Sequence, residues 1–208
     1  MRGSRVFIAV ALAASVALGG CSTIGDAGAN LMVNAYTSKS DGAYRLPAIP
    51  VSKVSRKYRR QIVNYSTNEK PGTIIVDTRA KHLYFVLDGG RAVRYGIGVG
   101  REGFTWSGTA RVAYKREWPT WTPTPEMIER NPKYAEWEEG MPGGPGNPLG
   151  ARALYLFRNG RDTYYRIHGT NQPASIGRSV SNGCIRMINA HVQDLYERVP
   201  IGTVVTVL

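Results

Sequence analysis

A cysteine and a histidine near the carboxyl end of the chain have the types and spacing that nucleophilic catalysis requires. Cys184 lies in the stretch SVSNGCIRMIN (179–189), and His168 lies 16 residues earlier, in TYYRIHG (163–169). A thiol nucleophile needs a base that removes its proton, hydrogen-bond donors for the oxyanion, and access to substrate. The pair therefore predicts a cysteine–histidine catalytic site. The alternative is that Cys184 is a small core residue, since free cysteine is among the most buried residue types.

The residues next to Cys184 suit this chemistry. Gly183 allows the backbone to approach a substrate closely, and the amides around it could form an oxyanion hole. If 184–188 is a strand, Arg186 lies on the same face as Cys184. A guanidinium there would favour the thiolate and bind a carboxylate.

The sequence does not indicate a metal site. One cysteine and one histidine at this spacing are too few ligands for zinc. Of the other histidines, His82 is expected to be exposed at the start of a strand, and His191 to lie on the solvated side of a helix.

The amino terminus has the pattern of an export signal. Two arginines precede the apolar run 6–18, and two glycines lead to Cys21. This pattern predicts a signal peptide over 1–20, and the run is shorter than the roughly 20 apolar residues of a membrane span. The LGGC sequence resembles the lipobox of bacterial lipoproteins, which implies a lipid on Cys21 that would attach the protein to a membrane. An ordinary signal peptide and an uncleaved anchor are the alternatives.

A lipid on Cys21 would also leave Cys184 without a cysteine partner. A lone thiol in an oxidising compartment is a liability unless it is buried or used. A Cys21–Cys184 disulfide would require a soluble mature form that keeps Cys21. By resemblance to Gram-negative lipoproteins, Ser22 favours the periplasmic face of the outer membrane, with the inner membrane as the alternative.

The chain is basic and long enough for one domain. It has 208 residues and a formal net charge of +12, which favours an anionic partner. For an exported protein, cell-wall peptides, lipopolysaccharide and anionic lipid head groups are the candidates. Nucleic acid is not expected as a partner, because the chain carries no aromatic-plus-basic recognition motif.

Three segments are predicted after the signal peptide. Residues 21–50 are small, polar and rich in Gly, Ala and Ser, which is typical of a flexible tether. The lead-in segment 51–72 contains five basic residues between positions 53 and 60. It is either a solvated stretch or a contact with an anionic surface. Residues 73–208 form the predicted catalytic domain.

The predicted domain has a mostly β pattern. Runs rich in Val, Ile and Tyr predict strands at 73–78, 82–88, 91–100, 108–117, 152–157, 163–169 and 203–208. Asp88-Gly89-Gly90 predicts a hairpin turn. Asn189 is expected to N-cap one short helix that carries an apolar face. A β-rich sandwich or barrel follows from this pattern.

The segment 118–150 interrupts the β pattern. It is rich in proline and glycine and contains three tryptophans, and PEMIERNPKY (125–134) within it is expected to form a short helix. Long irregular inserts in compact domains are usually functional or disordered, and the tryptophans argue for order. We expect a loop folded over a site, in which the tryptophans either pack the insert down or stack on substrate.

Two motifs together resemble a known family. HGT (168–170) followed by SNGCIRM (181–187) is similar to the signature of the L,D-transpeptidase catalytic (YkuD-like) family. The resemblance extends from about Thr73 to Leu208 and includes VDTRAKHLYFV, NPLG and DLYERVPIGTVVTV. The chain is identified on these residues as a member, and the tether and the lipobox lie outside the resemblance.

The resemblance implies a role for each matching residue. Cys184 matches the nucleophile, His168 the histidine that activates it, and Gly169 the residue whose carbonyl orients the imidazole. The region of Gly183 and Cys184 matches the source of oxyanion amides. Ser181 matches a structural or hydrogen-bonding serine.

Two further positions follow from the same motif. Arg186 matches an arginine assigned to site architecture or to a substrate carboxylate. Asn182 stands where many members have a second histidine, which leaves His168 as the only histidine of the motif able to act as base. Asparagine can still donate a hydrogen bond.

The resemblance also implies a fold and a function. The fold is a mixed β-sandwich with one short carboxyl-terminal helix, the cysteine in a cleft, and the 118–150 loop as a lid or substrate wall. The function is a periplasmic cysteine L,D-transpeptidase that acts on peptidoglycan tetrapeptide stems through an acyl-thioester, with no cofactor. It would form 3–3 cross-links or attach a wall lipoprotein. An L,D-carboxypeptidase or amidase on the same scaffold, and a non-catalytic wall-binding lipoprotein, are the alternatives.

Overall fold

The computed structural model describes residues 36–101, 106–181 and 183–208. The predicted signal peptide, the predicted lipidation site Cys21, and Asn182 lie outside the described residues. Within the described ranges, no helix has the length and apolar character needed to cross a membrane.

Most of the regular structure in the described part of the chain is β. The strands are β1 (Lys39–Asp41), β2 (Tyr44–Leu46), β3 (Gln61–Asn64), β4 (Ile74–Asp77), β5 (His82–Leu87), β6 (Arg91–Gly96), β7 (Val99–Gly100), β8 (Gly108–Glu117), β9 (Arg152–Arg158), β10 (Arg161–His168), β11 (Ser179–Ser181), β12 (Ile185–Arg186) and β13 (Val204–Val207). The α-helices are α1 (Pro125–Arg130) and α2 (Asn189–Arg198), and short 3-10 helices cover 51–53, 56–58, 132–137 and 173–175.

Nine of these strands form one mixed sheet, in the order β12-β10-β9-β8-β13-β4-β5-β6-β3. β10 runs parallel to β12 and β13 runs parallel to β4, whereas the other neighbours are antiparallel. Two small sheets pair β1 with β2 and β7 with β11. The predicted mostly β fold, with a mixed sheet and a short carboxyl-terminal helix, is confirmed.

The β5–β6 hairpin illustrates how local sequence sets the strand order. Leu87 pairs with Arg91, and Asp88-Gly89-Gly90 forms the turn between them. Gly89 and Gly90 have φ angles of +69° and +66°, which glycine adopts without a Cβ clash. The predicted hairpin is confirmed.

One hydrophobic core holds the sheet and α2 together. β10 and β12 contribute Ile167 and Ile185, and α2 contributes Val192 and Leu195, all of them buried. Burying one side chain of this size stabilises the fold by about 1.5–3 kcal/mol. The core therefore fixes β10, β12 and α2 relative to one another, and these elements carry the predicted site.

The flexible tether predicted for 21–50 is wrong over residues 36–50. β1 and β2 form a hairpin there, and the buried Tyr36 hydroxyl lies 2.9 Å from His191 Nε2. His191 is therefore buried rather than solvated as predicted, because this segment covers its side of α2. His82, predicted to be exposed, is half-buried.

The main sheet also extends into the segment predicted as a basic lead-in. β3 pairs with β6 at the sheet edge, and neighbouring basic side chains bond within the fold. The Arg59 guanidinium donates to the carbonyls of Val51 and Val54 at 2.9 and 3.0 Å, and Arg60 forms a 2.5 Å ion pair with Asp194 of α2. The side chains of Arg59 and Arg60 therefore stabilise the fold and are not simply exposed to solvent or to an anionic surface.

A buried ion pair anchors the β1–β2 hairpin to the main sheet. The Asp41 carboxylate bonds both terminal nitrogens of the Arg152 guanidinium at 2.7 Å, and the two side chains are 12% and 9% exposed. Glu117 lies 3.5 Å from the same guanidinium. Burial by itself raises the pKa of Asp41, but the hydrogen bonds and charge of Arg152 outweigh it and hold that pKa below its usual value.

We expect Asp41→Ala to lower the free energy of unfolding by about 3 kcal/mol, because it leaves a buried guanidinium without its bidentate partner. Urea unfolding at neutral pH measures the change, and Asp88→Ala in the exposed hairpin turn is the matched control. Since the folded-state pKa is lowered, the contribution of Asp41 is present above about pH 4 and is lost as the pH falls through the folded-state pKa. A loss no larger than that of the control would contradict the anchoring role.

Candidate active site

Two parallel strands bring the predicted catalytic residues together. β10 and β12 pair with Ile167 opposite Ile185 and His168 opposite Arg186. The two isoleucines are buried in the core, so His168 and Arg186 lie on the other face of these strands. By the same alternation, Cys184, which immediately precedes β12, lies on this face as well.

The Cys184 thiol is half-buried and bonds to the backbone. Its Sγ donates a long hydrogen bond, 3.8 Å, to the carbonyl of Tyr164. Burial raises the pKa of the thiol, and a hydrogen bond from the Arg166 backbone and the charges of Arg166 and Arg186 oppose this only in part. The resting group at neutral pH is therefore the thiol, and a base must remove its proton before it can attack.

A β-bulge in β10 directs the Tyr164 carbonyl to the thiol. The register with β9 shifts between Asp162 and Arg166, and Tyr164 has a φ of +62°, an unusual angle for a residue with a side chain. The Asp162 carboxylate stabilises this turn, because it accepts from the Tyr164 amide at 2.8 Å and binds the Arg166 guanidinium at 2.6 and 2.7 Å. The Tyr164 side chain is left 82% exposed. A strained residue thus lies beside the Cys184 thiol.

The imidazole of His168 is buried and held by the backbone. Its Nδ1 lies 2.6 Å from the carbonyl oxygen of Gly169, so Nδ1 carries the ring proton and Nε2 is the basic nitrogen. The backbone of Leu149 also hydrogen-bonds the ring. Burial and the charge of Arg186 lower the pKa of His168 to about 3. The ring is therefore neutral and able to accept a proton at neutral pH.

The hydrogen bonds of the two reactive side chains do not join them directly. Among the described residues, Cys184 bonds to the Tyr164 carbonyl and the His168 ring bonds to backbone groups. The thiol must therefore leave the Tyr164 carbonyl before it reaches the imidazole, which lies on the same face of the neighbouring strand. Catalytic hydrogen bonds are often completed only when substrate binds.

Ser181 shapes the loop that carries Cys184. Its buried hydroxyl donates to the Cys184 carbonyl at 2.6 Å and accepts from the Gly183 amide at 3.3 Å. Gly183 has a φ of +115°, which residues with a side chain rarely adopt. The Gly183 amide is thus directed into the loop, and it can serve an oxyanion only by giving up the bond to Ser181.

Arg186 has the properties of an anion-binding side chain. Its backbone is fixed by two hydrogen bonds to Gly98, at 2.8 and 2.9 Å. Its Nε is buried and has no hydrogen-bond partner among the described residues, and Tyr134 and Cys184 are neighbours of its charge. A buried donor without a partner is costly, so a carboxylate that bonds to it would be favoured.

The 118–150 insert contacts this face of the sheet, in the place that a covering loop would occupy. Leu149, near its end, bonds the His168 ring, and Tyr134 lies close to the Arg186 guanidinium. The helix predicted over 125–134 is present as α1 and the 3-10 helix that follows it.

Two tryptophans pack the insert down. Trp118 donates from Nε1 to the Asp41 carbonyl at 3.2 Å, and its ring lies 4.6 Å from that of Tyr44. Trp121 is buried and meets the ring of Tyr134 edge-on at 5.2 Å. Trp118 and Trp121 therefore pack the insert against the fold, which is one of the two roles expected for the tryptophans.

Most of the predicted site residues lie in one place. The residues that the structure brings together are Cys184, His168, Gly169, Gly183, Ser181 and Arg186. Cys21 and Asn182 lie outside the described residues. Across 36–101, 106–181 and 183–208, no three His, Cys, Asp or Glu side chains are grouped so that they could hold a metal ion.

The sequence profile of the L,D-transpeptidase catalytic domain, YkuD, matches residues 71–207, a range that includes every strand from β4 to β13. The chain belongs to this family. The matched range contains the whole of the site described above, whereas β1, β2 and β3 precede it.

A curated relative carries the same family name. The probable L,D-transpeptidase YbiS of Escherichia coli strain K12 is 37% identical over 142 residues, which cover 62% of this chain and 42% of that protein. The chain thus spans about two fifths of the length of this L,D-transpeptidase.

Solved structures share the fold. A Brucella melitensis crystal structure, described as a probable carnitine operon oxidoreductase, is 55% identical over 72% of this chain and 93% of that chain, with a TM-score of 0.52. An Enterococcus faecium L,D-transpeptidase, solved as a cysteine-to-serine mutant, is 22% identical over 67% of this chain and 50% of that chain, with a TM-score of 0.50. The second likeness shows the fold alone, and the oxidoreductase name is that of the first protein.

Asn189 is a part of this candidate site that sequence reasoning assigned differently. The prediction that it N-caps α2 is wrong, because Ile188 occupies the cap position and makes no side-chain cap bond. Asn189 is instead the first helical residue, and its Oδ1 accepts from the amides of Ala151 and Thr170, each at 3.0 Å. Capping rules are local, and these two amides come from distant segments of the chain.

Asn147, in the NPLG stretch that carries the family resemblance, ties the insert together. The residue is fully buried, and its Nδ2 donates to the carbonyls of Pro119, Met141 and Pro142 at 3.0–3.1 Å. Its Oδ1 accepts from the Leu149 amide at 2.8 Å. The same side chain therefore closes the insert and places the residue that contacts the His168 ring.

We expect Asn147→Asp to lower the free energy of unfolding by about 3 kcal/mol, although the side chains have the same shape. The carboxylate oxygen that replaces Nδ2 would face three carbonyl oxygens and no donor, which is a buried and unsatisfied arrangement. Urea unfolding measures the loss. Asn171→Asp is the control, because Asn171 is exposed and its Nδ2 donates to the Gly146 carbonyl at 2.6 Å. Equal losses in the two variants would show that the three carbonyl contacts do not hold the insert.

Proposed function

We propose that this chain is a cysteine L,D-transpeptidase that acts on peptidoglycan stem peptides. The observation that supports this most is the shared face of β10 and β12, where a thiol, a neutral imidazole and a guanidinium with a partnerless Nε lie together. Family membership supplies the reaction class. The arrangement offers Cys184 as nucleophile, His168 as base and Arg186 as the contact for an anion.

The donor in this proposal is a tetrapeptide stem that ends in D-alanine. His168 Nε2 takes the proton of Cys184, and the thiolate attacks the carbonyl carbon at the L-centre of the third residue, diaminopimelate. Backbone amides near Gly183 and Cys184 stabilise the oxyanion. The carbon–nitrogen bond then breaks, the imidazolium gives its proton to the leaving nitrogen, and D-alanine departs to leave a thioester on Cys184.

An amine resolves the thioester in the second half of the reaction. The side-chain amine of a neighbouring stem attacks the thioester carbonyl, loses a proton to His168, and releases Cys184 as the thiol, which gives a 3–3 cross-link. A lysine of a wall lipoprotein is an amine acceptor of the same chemical class. Water in place of the amine would make the enzyme an L,D-carboxypeptidase.

The charges around the site support the proposed substrate and the proposed base. Both reactive groups are neutral before reaction, because burial raises the pKa of Cys184 and lowers that of His168 to about 3. Arg166 and Arg186 favour the thiolate once the proton has moved. Stem peptides carry several carboxylates, which suits a chain with a net charge of +12.

We propose that the protein is exported and anchored through a lipid on Cys21, at the periplasmic face of the outer membrane. Because residues from Tyr36 onward pack on the domain, only 21–35 separate the lipid from the fold, a reach of at most about 50 Å. Labelling of cells with a radioactive fatty acid tests the anchor. Label in wild type and not in Cys21→Ala is the expected result, and equal label in both, or none in either, would contradict it.

Product analysis in heavy-oxygen water tests the proposed reaction. The purified protein is incubated with diaminopimelate-type tetrapeptide stems in H₂¹⁸O, and the products are identified by mass spectrometry. We expect dimers that lack one D-alanine and carry no ¹⁸O. Tripeptides with one ¹⁸O and no dimers would indicate the carboxypeptidase instead. If protein whose thiols are blocked with iodoacetamide gives the same products as untreated protein, the thiol mechanism is rejected.

A further inference from the structure

We infer that Asn189 is a positioning residue for this reaction: its side-chain oxygen orients the peptide group that holds the His168 imidazole. The inference rests on the proposed role of His168 as the base. Asn189 acts on the ring through the backbone at Gly169, so its effect is one of orientation and not of direct proton transfer.

One oxygen atom of Asn189 joins two separate backbone segments. Oδ1 accepts a hydrogen bond from the Thr170 amide, just after β10, and another from the Ala151 amide, just before β9, each at 3.0 Å. Asn189 begins α2, whose Val192 and Leu195 are fully buried in the core. The oxygen is therefore held in place by the core and can hold both segments in turn.

The bond to Thr170 sets the direction of the Gly169 carbonyl. The Gly169 C=O and the Thr170 N–H belong to one planar peptide group, in which the two bonds point in opposite directions. With the N–H held by Asn189, the C=O points away from α2 and toward His168 Nδ1, 2.6 Å from it. This bond keeps the ring proton on Nδ1 and leaves Nε2 free to accept the proton of the nucleophile.

The bond to Ala151 holds the second backbone contact of the ring. Ala151 follows Gly150 and Leu149 in the chain, and the Leu149 backbone hydrogen-bonds the imidazole. The Asn189 oxygen thus holds the ends of both segments that contact the ring. Loss of this one oxygen would therefore disturb both backbone contacts of the His168 ring, at Gly169 and at Leu149.

Two glycines make room for the oxygen. A Cβ at Gly169 would lie 2.1 Å from Asn189 Oδ1, and a Cβ at Gly150 would lie 2.2 Å from it. Both distances are far inside van der Waals contact, so a side chain at either position would push the oxygen off its amides. The glycines of the HGT and NPLG stretches therefore permit the close approach of Asn189.

The neutral amide suits the base better than a carboxylate would. An aspartate at position 189 would accept the same two hydrogen bonds, but its negative charge would favour the protonated form of the nearby imidazole. Asparagine orients the carbonyl without that charge. Asn189→Asp therefore separates the effect of orientation from the effect of charge.

The test uses the full chain with Asn189→Ala, Asn189→Asp and, as a control on the exposed side of the same helix, Glu197→Ala. Turnover of tetrapeptide stems gives kcat and KM, and ¹⁵N NMR of the ring nitrogens gives the tautomer, with His168→Gln identifying the His168 signals. We expect Asn189→Ala to lower kcat about 10–100-fold with little change in KM, and to reduce the Nδ1–H tautomer. Asn189→Asp should keep that tautomer and move the acid limb of the pH profile to higher pH. Glu197→Ala should match wild type.

A folded Asn189→Ala variant with the wild-type tautomer and kcat would overturn the inference. If this variant does not fold, Asn189→Ser takes its place, because a hydroxyl one atom shorter falls short of the two amides, and an unchanged tautomer there would also overturn it. The NMR measurement does not depend on turnover. A changed tautomer in a protein that makes no product would support the positioning role and reject the proposed function.

Discussion

The Cys184→Ala variant is expected to lose transpeptidation by at least about 10³-fold, to background, because no other group of the site can form the thioester. We expect the fold to survive, since the half-buried thiol makes a long hydrogen bond, 3.8 Å to the Tyr164 carbonyl, and a further bond to the Arg166 backbone. A cysteine with only a core-packing role predicts the opposite result, a loss of stability with activity retained. Turnover and urea unfolding of the same preparation distinguish the two roles.

The position of the covalent adduct checks the same prediction independently. Wild-type protein quenched during turnover should carry one acyl group, located by mass spectrometry on the tryptic peptide 179–186, which contains Cys184. Cys21→Ala is the matched control, because it removes the other cysteine of the chain and should leave the adduct unchanged. An adduct on Cys21, or product formed by Cys184→Ala, would show that the nucleophile is assigned wrongly.

The His168→Gln variant is expected to lower kcat/KM by about 10²–10⁴-fold, the usual contribution of a positioned general base. Glutamine has a similar length and can still donate to the Gly169 carbonyl, so the loss should come from the missing base and not from the fold. His82→Gln is the control, because His82 is half-buried on β5 and its ring Nε2 lies 2.9 Å from the Lys57 carbonyl, away from the candidate site. Equal rates in the two variants would exclude His168 as the base.

The lowered pKa of His168 also predicts an unusual pH profile. The active pair is a neutral imidazole with a neutral thiol, and the imidazole is protonated only as the pH approaches its pKa of about 3. The rate of acylation should therefore stay nearly constant from pH 7 to pH 5. With an imidazole of the ordinary pKa, about 6.5, the rate would fall about 25-fold over that range.

Acid unfolding must be separated from this profile. His168 and His191 both have their pKa lowered to about 3 by burial, so the unfolded chain binds protons that the folded chain does not. The free energy of unfolding should consequently fall as the pH drops below about 6.5. Circular dichroism at each pH identifies the folded range, and a decline in rate of about 25-fold within that range would contradict the low pKa of His168.

The sequence alone predicted the candidate reacting groups, because their signals are local. Cys184 and His168 lie within short motifs whose residue types carry the chemistry, and the family resemblance rests on those same motifs. The turn Asp88-Gly89-Gly90 was equally predictable, because glycine adopts the positive φ angles of this turn whatever the rest of the fold is. Such features depend on neighbours a few residues apart.

Composition was a poor guide to the amino-terminal segment. Small and polar residues predicted a tether through residue 50, yet Tyr36 bonds to His191 across 155 positions of sequence, and Asp41 bonds to Arg152 across 111. Neither partner can be identified from the residues around it. A few anchors of this kind are enough to fix a segment whose average composition is that of a linker.

Only the tertiary structure decided how the reacting groups are held. The bulge that brings the Tyr164 carbonyl to the thiol requires the pairing of β9 with β10. Asn189 reaches Thr170 and Ala151 across 19 and 38 positions, so its role appears only when α2 is packed on the sheet. The physical reason is that the type of a side chain limits the bonds it can make, whereas the packing of the core determines which distant backbone groups come within about 3 Å of it.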